Sequence, residues 1–202
     1  MKKKFLFYLS IIVLLGSCYP GGTEYYEDTD VVYTNYDDTF DFQSRGEYAI
    51  PDSIVIITGE LLEGEDPEFV KEPYNTQMLN QIKTNMTALG WKIKQDYDPE
   101  IDKGVLVLFP AVWTNTTVYY YYDYWCWYYP YYCGWGWGYP SASSYTTGTL
   151  LMTLVADGDD YITPTRVWTG AMNGLLSGAY NTTRVTKAID QAFTQSPYLK
   201  VN

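Results

Sequence analysis

Histidine is absent from the chain. That removes the usual general base, the usual activator of a serine or cysteine nucleophile, and the commonest metal ligand. Cations are scarce as well. Thirteen lysines and arginines stand against 24 acids over 202 residues, a formal charge of −11. No basic patch or stripe is visible, so repulsion excludes nucleic acid as a partner. Cysteine occurs only at positions 18, 126 and 133, a poor metal set without histidine. Beyond residues 1–17 no apolar run approaches the roughly 20 residues of a spanning helix.

What the chain does have begins with its first residues. Lys2, Lys3 and Lys4 form a positive start, and Phe5 to Leu15 is an apolar run too short to cross a bilayer. This is the layout of a secretory signal. The junction Leu15-Gly16-Ser17-Cys18 resembles the lipobox of bacterial lipoproteins. The resemblance implies cleavage before Cys18, diacylglycerol on its sulfur and an acylated new amine. Two or more acyl chains hold a protein stably at a membrane surface, where one would be marginal. Tyr19 rather than Asp follows the lipid site, which by the rule of that class implies the outer membrane, facing the periplasm or the cell surface. Cleavage removes three lysines and no acid, taking the formal charge from −11 to −14. The remainder reads as a flexible tether over 18–29 and one domain over 30–202.

With Cys18 lipidated, Cys126 and Cys133 remain. In an oxidising compartment such a pair is expected to form a disulfide. It would close a ring of about eight residues, stabilising by roughly 2.5 kcal/mol on loop-entropy arithmetic.

Along the domain, "DVVYTNYD" (30–37) is β-branched and aromatic and reads as a strand, and "YAIPDSIVIITG" (48–59) holds a second after Pro51. The acidic, proline-punctuated 61–73 reads as a loop. Met78, Leu79, Ile82, Met86 and Leu89 then fall at helical spacing, with Asn75 or Thr76 as candidate cap and Gly90 where a C′ glycine belongs. "WKIKQDY" alternates as a short strand does, and "GVLVLFPAVW" (104–113) is an apolar run of strand length, central in a sheet. Residues 145–157 and 163–174 flank "DGDDYI" as a hairpin. A last helix over 182–195 has Val185, Ile189, Ala192 and Phe193 on one side and Pro197 beyond its end. The expected fold is α+β: one mixed or antiparallel sheet of about six strands, two amphipathic helices packed on it, and an aromatic-rich hairpin arm over residues 119–140.

The run of "DFQSRGEYAIPD", helix, "GVLVLF", "GTLLMTLVAD", "RVWTGAMNG" and a closing "RVTKAIDQAFTQSP" resembles a bacterial lipoprotein family, the one carrying the domain of unknown function four-one-three-six. The most specific parts are Asp157, Trp168-Thr169-Gly170 and the final helix ending in Ser196-Pro197. Where that family usually has Asp directly before the central strand, this chain has Gly104, with Asp102 two residues earlier. The resemblance implies a lipid-anchored envelope domain and supplies no catalytic residue.

Nothing else specifies a reaction. Asp37, Asp38 and Asp41 could pair as acid and base for glycoside cleavage, though a solvated loop accounts for them. Asp157, Asp159 and Asp160 could bind Ca²⁺ but lack EF-hand spacing, and a strand turn explains them. Serines without histidine or a lysine motif are not nucleophiles. No cofactor is expected.

Fourteen of the 22 residues in "YYYYDYWCWYYPYYCGWGWGYP" (119–140) are Tyr or Trp. As a β-ribbon it would carry rings at both parities, so one core could bury only half of them. Tyr121, Trp125, Trp127, Tyr129, Trp135 and Trp137 are therefore the expected binding surface. The partner would be an envelope protein or a second copy, or a glycan, or the membrane interface. Asp123 is the only charged side chain in the stretch, which counts against sugar recognition. The expectation is a non-catalytic lipid-anchored binding or assembly module, with a glycan-binding module as the alternative.

Overall fold

The computed structural model describes residues 31–59, 61–62, 64–114, 121–128, 130, 148–156, 164–176 and 180–201. The expected lipid site at Cys18, the tether and the hairpin turn 157–162 lie outside them. The described strands are β1 (Val31–Tyr36), β2 (Glu47–Ala49), β3 (Val55–Ile57), β4 (Glu68–Phe69), β5 (Lys92–Ile93), β6 (Leu106–Trp113), β7 (Thr149–Ala156) and β8 (Thr165–Asn173). The helices are α1 (Tyr74–Ala88), α2 (Tyr121–Tyr128) and α3 (Thr182–Thr194). Single 3-10 turns occupy Phe42–Ser44 and Pro197–Leu199.

The α+β class stands, with eight strands rather than about six. The sheet runs β1-β8-β7-β6-β2-β5, and β3 and β4 extend it beside β6. The core β6-β7-β8-β1 is antiparallel, while β2 and β3 both run parallel to β6. They share one side of β6 end to end: β2 reaches Val107 and β3 begins at Ala111. Pro110 sits in the break between them, where a missing N–H costs no ladder bond. Pro51 marks the same interruption in the partner strand.

β6 and β7 are buried at every position. A strand in the middle of a two-sided sheet needs apolar side chains at both parities, which is why "LVLFPAVW" does not alternate. On one face Leu106, Leu108, Val112, Leu150, Met152 and Leu154 pack against Met78, Ile82 and Met86 of α1 and Val185, Ile189 and Phe193 of α3. On the other, Val107, Phe109, Ala111, Trp113, Leu151 and Val155 meet Tyr124 and Trp125 of α2.

The two large helices are locked together through Asp190, whose Oδ1 accepts from Gln81 and, at 2.7 Å, from Asn85. Gly90 follows α1 at φ +96°, as a C′ glycine does, and a Cβ there would sit 2.7 Å from the Val201 carbonyl oxygen. The expected side-chain cap is corrected. α1 starts at Tyr74, so Asn75 and Thr76 lie inside it, and its N-cap Pro73 makes no side-chain bond. Asn75 serves the fold differently: its Oδ1 accepts from Ile54 N at 2.8 Å and its amide donates to the Asp52 carbonyl at 3.0 Å.

Candidate functional site

The aromatic stretch is not a hairpin where it is described. Residues 121–128 form the helix α2. Tyr and Trp favour strands as a class, but tertiary packing overrides a propensity worth about 1 kcal/mol. At 100° per residue Tyr124, Trp125 and Tyr128 share one side of a helix, and that side closes the second face of the sheet.

Trp125 is fully buried and meets Phe109 of β6 edge to face, centroids 5.1 Å apart. Its placement corrects the expectation that it belongs to an exposed surface. Tyr124 is buried beside it, its hydroxyl 3.3 Å from both the backbone N and the Oγ1 of Thr58. Tyr128 packs edge to face on Phe109 at 5.5 Å and on Phe69 of β4 at 6.1 Å. Its hydroxyl donates to the Ser53 carbonyl at 2.7 Å. Burial pushes the Tyr128 phenol up to about 12. The Asp52 carboxylate adds to this, and the Ser53 bond partly offsets it. Three rings thus bolt α2 to β3, β4 and β6.

Trp127 points elsewhere. It is 39 % exposed, the largest exposed ring described in the stretch. It leans on Phe69 at 5.6 Å and on Tyr128 at 5.2 Å. A tryptophan held by two half-buried neighbours keeps its orientation, which suits it to contact something outside the chain. Of the other expected surface residues, Tyr121 opens α2 but its side chain is not described, and Tyr129, Trp135 and Trp137 lie outside the described residues. Cys126 is half-buried on α2, and its expected partner Cys133 lies outside as well.

Sequence reasoning missed Phe69, the only ring in the acidic 61–73 loop. Its isolation there was the available signal. It also missed Thr153 and Thr169, register partners on β7 and β8, both buried with hydroxyls that find no hydrogen-bond partner among the described residues.

The acidic clusters have structural work. Asp37 Oδ1 accepts from Thr39 N at 2.9 Å and Thr39 Oγ1 at 2.6 Å, which holds its carboxyl below the usual range. Asp41 caps the turn at Phe42–Ser44 through Gln43 N. Asp102 binds Asp98 N at 2.9 Å and Lys94 at 2.8 Å, and these two contacts, the backbone one first, lower its pKa. Among the described residues no three acidic or cysteine side chains gather as a metal site would require. Asp157, Asp159 and Asp160 lie outside them.

The family model described as "Domain of unknown function (DUF4136)" matches residues 32–198. The chain belongs to the DUF4136 family. A DUF4136 protein of known crystal structure, from Bacteroides thetaiotaomicron VPI-5482, is 29 % identical and aligns with TM-score 0.62. The alignment covers 85 % of this chain and 97 % of that one. A PelC dodecamer from Paraburkholderia phytofirmans is more distant, 12 % identical at TM-score 0.42, over 86 % of this chain and 99 % of that one. No curated protein matches the chain. Membership in the DUF4136 family assigns no activity, so any function rests on the site itself.

Proposed function

We propose that this DUF4136 protein is a non-catalytic, lipid-anchored envelope protein that binds or assembles through an aromatic surface centred on Trp127. One observation carries the reading. α2 drives Tyr124 and Trp125 into the domain and leaves Trp127 outside, braced by Phe69 and Tyr128. A ring with pre-set orientation loses little entropy on binding, which favours contact with an envelope protein. Cys18 would carry the lipid and place the domain at the outer membrane, and Cys126 would pair with Cys133 beside the site.

Capture from detergent-solubilised envelopes tests this, comparing the wild type with Trp127→Ser. The expected result is a discrete protein retained by the wild type and depleted in the variant, with folding stability lowered by no more than about 1 kcal/mol. Equal capture by both would overturn the reading. Retention of polysaccharide in place of protein would transfer the site to the glycan-binding alternative.

A further inference from the structure

β1 ends the strand order, and no described strand pairs with its outer side. Its sequence, Val-Val-Tyr-Thr-Asn-Tyr, lacks the lysine, proline or bulge by which edges are usually protected. Val31 is 57 % exposed and Tyr33 50 %. Asp37 N donates to Val167 O at 2.9 Å, continuing the uniform β1–β8 register. Odd-numbered residues of β1 therefore exchange bonds with β8, and the N–H and C=O of Val32, Thr34 and Tyr36 point away from the sheet.

α3 runs along β1 in the same direction. Its first turn lies at the Val31 end, where Arg184 Nη2 bonds the Gly174 carbonyl at 3.0 Å. Its last turn lies at the Tyr36 end, where Phe193 stacks 5.5 Å from Trp168, the register partner of Tyr36. Between Val32 and the outer side of α3 is an open groove of about 300 Å³ lined by Asn181, Thr183, Arg184, Lys187 and Gln191. Two cations thus stand on this side of the helix in a chain with 24 acids and 13 cations.

We infer that β1 is a self-pairing edge: two copies of the chain join β1 to β1, antiparallel, about a two-fold axis at Tyr33. Only an even–even register lets outward N–H and C=O groups meet. Centring on Tyr33 places Val32 opposite Thr34 of the second copy as hydrogen-bonded pairs, with the two Tyr33 rings adjacent across the axis. The same register carries the second copy's Asp37-Asp38 turn past Val31 to the start of α3, toward Arg184 and Lys187. Each copy offers the acid and receives it, so the contact closes after two chains. Both bare edges disappear in one step, and the exposed Val31 and Tyr33 gain cover. This pairing is independent of what Trp127 binds.

Cross-linking of the whole chain in intact envelopes tests the inference. Tyr33→Cys should give a reductant-sensitive covalent homodimer under mild oxidation, absent from the wild type with its native cysteines. Thr34→Pro in that background removes an outward donor without touching the β8 ladder and should cut the dimer at least about tenfold. Asp38→Lys, at an exposed turn, repeats the test without altering the strand, and adding Lys187→Glu should restore the dimer. A Tyr33→Cys chain that stays monomeric, or that links to a different protein, would overturn the proposal. So would a dimer yield that neither Thr34→Pro nor Asp38→Lys changes.

Discussion

Trp125 and Phe109 meet edge to face, centroids 5.1 Å apart, and join the aromatic helix to the central strand of the sheet. That contact divides the tryptophans of α2 into two kinds. Trp125 belongs to the core and Trp127 to the surface.

Replacement should separate them. Trp125→Ala removes a fully buried ring and leaves a cavity, for an expected loss of about 3–5 kcal/mol. Trp127→Ala removes a partly exposed ring and should cost no more than about 1 kcal/mol. Urea denaturation of the two variants beside the wild type measures both. Equal losses would mean that Trp127 is also a core residue and is not spare for binding.

Alkaline stability depends on Tyr128. Its folded-state pKa of about 12 lies above the unfolded value. The neutral phenol is therefore favoured in the fold, and the contribution is complete below about pH 10. It declines as pH rises from there through about 12. Burial shifts Tyr48 in the same direction. Denaturation midpoints measured across this range should fall, and Tyr128→Phe should make the fall shallower. A variant with an unchanged pH slope would show that the phenol is not desolvated in the folded protein.

Ser196 links the end of α3 to the sheet. Its Oγ accepts from Trp168 Nε1 at 2.9 Å and donates to the Ala192 carbonyl at 2.8 Å, all in the interior. Ser196→Ala leaves the buried indole N–H without an acceptor, for an expected cost of about 1–3 kcal/mol. The thermal midpoint should drop accordingly. An unchanged midpoint would place an unseen acceptor near that nitrogen.

The cysteines make a chemical prediction. Cys18→Ser should lose metabolic acyl labelling and leave the membrane fraction. In the exported wild type, alkylation without reductant should leave Cys126 and Cys133 unmodified in the intact mass. Sedimentation of the Ser variant with membranes, or two alkylated thiols, would count against the lipid site and the pairing respectively.

Much of this protein was legible in its sequence because single elements impose their own periods. Met78, Ile82 and Met86 recur at helical spacing, Val185, Ile189 and Phe193 do the same in α3, and Gly90 marks a helix end that only a residue without Cβ tolerates. The continuous apolar run at 106–113 required cover on both sides, and the sheet provides it. The absence of histidine and the scarcity of cations were equally plain. Tertiary structure decided the rest. Strand pairing placed β2 and β3 end to end on one side of β6, a relation that no local pattern encodes because it joins residues 56 to 58 positions apart in the chain. It also decided the aromatic stretch. Rings at both parities suit a ribbon and a helix alike by hydrophobicity, and only the second face of the sheet, which Phe109 lines, selects the helix that buries Tyr124 and Trp125 and leaves Trp127 outside.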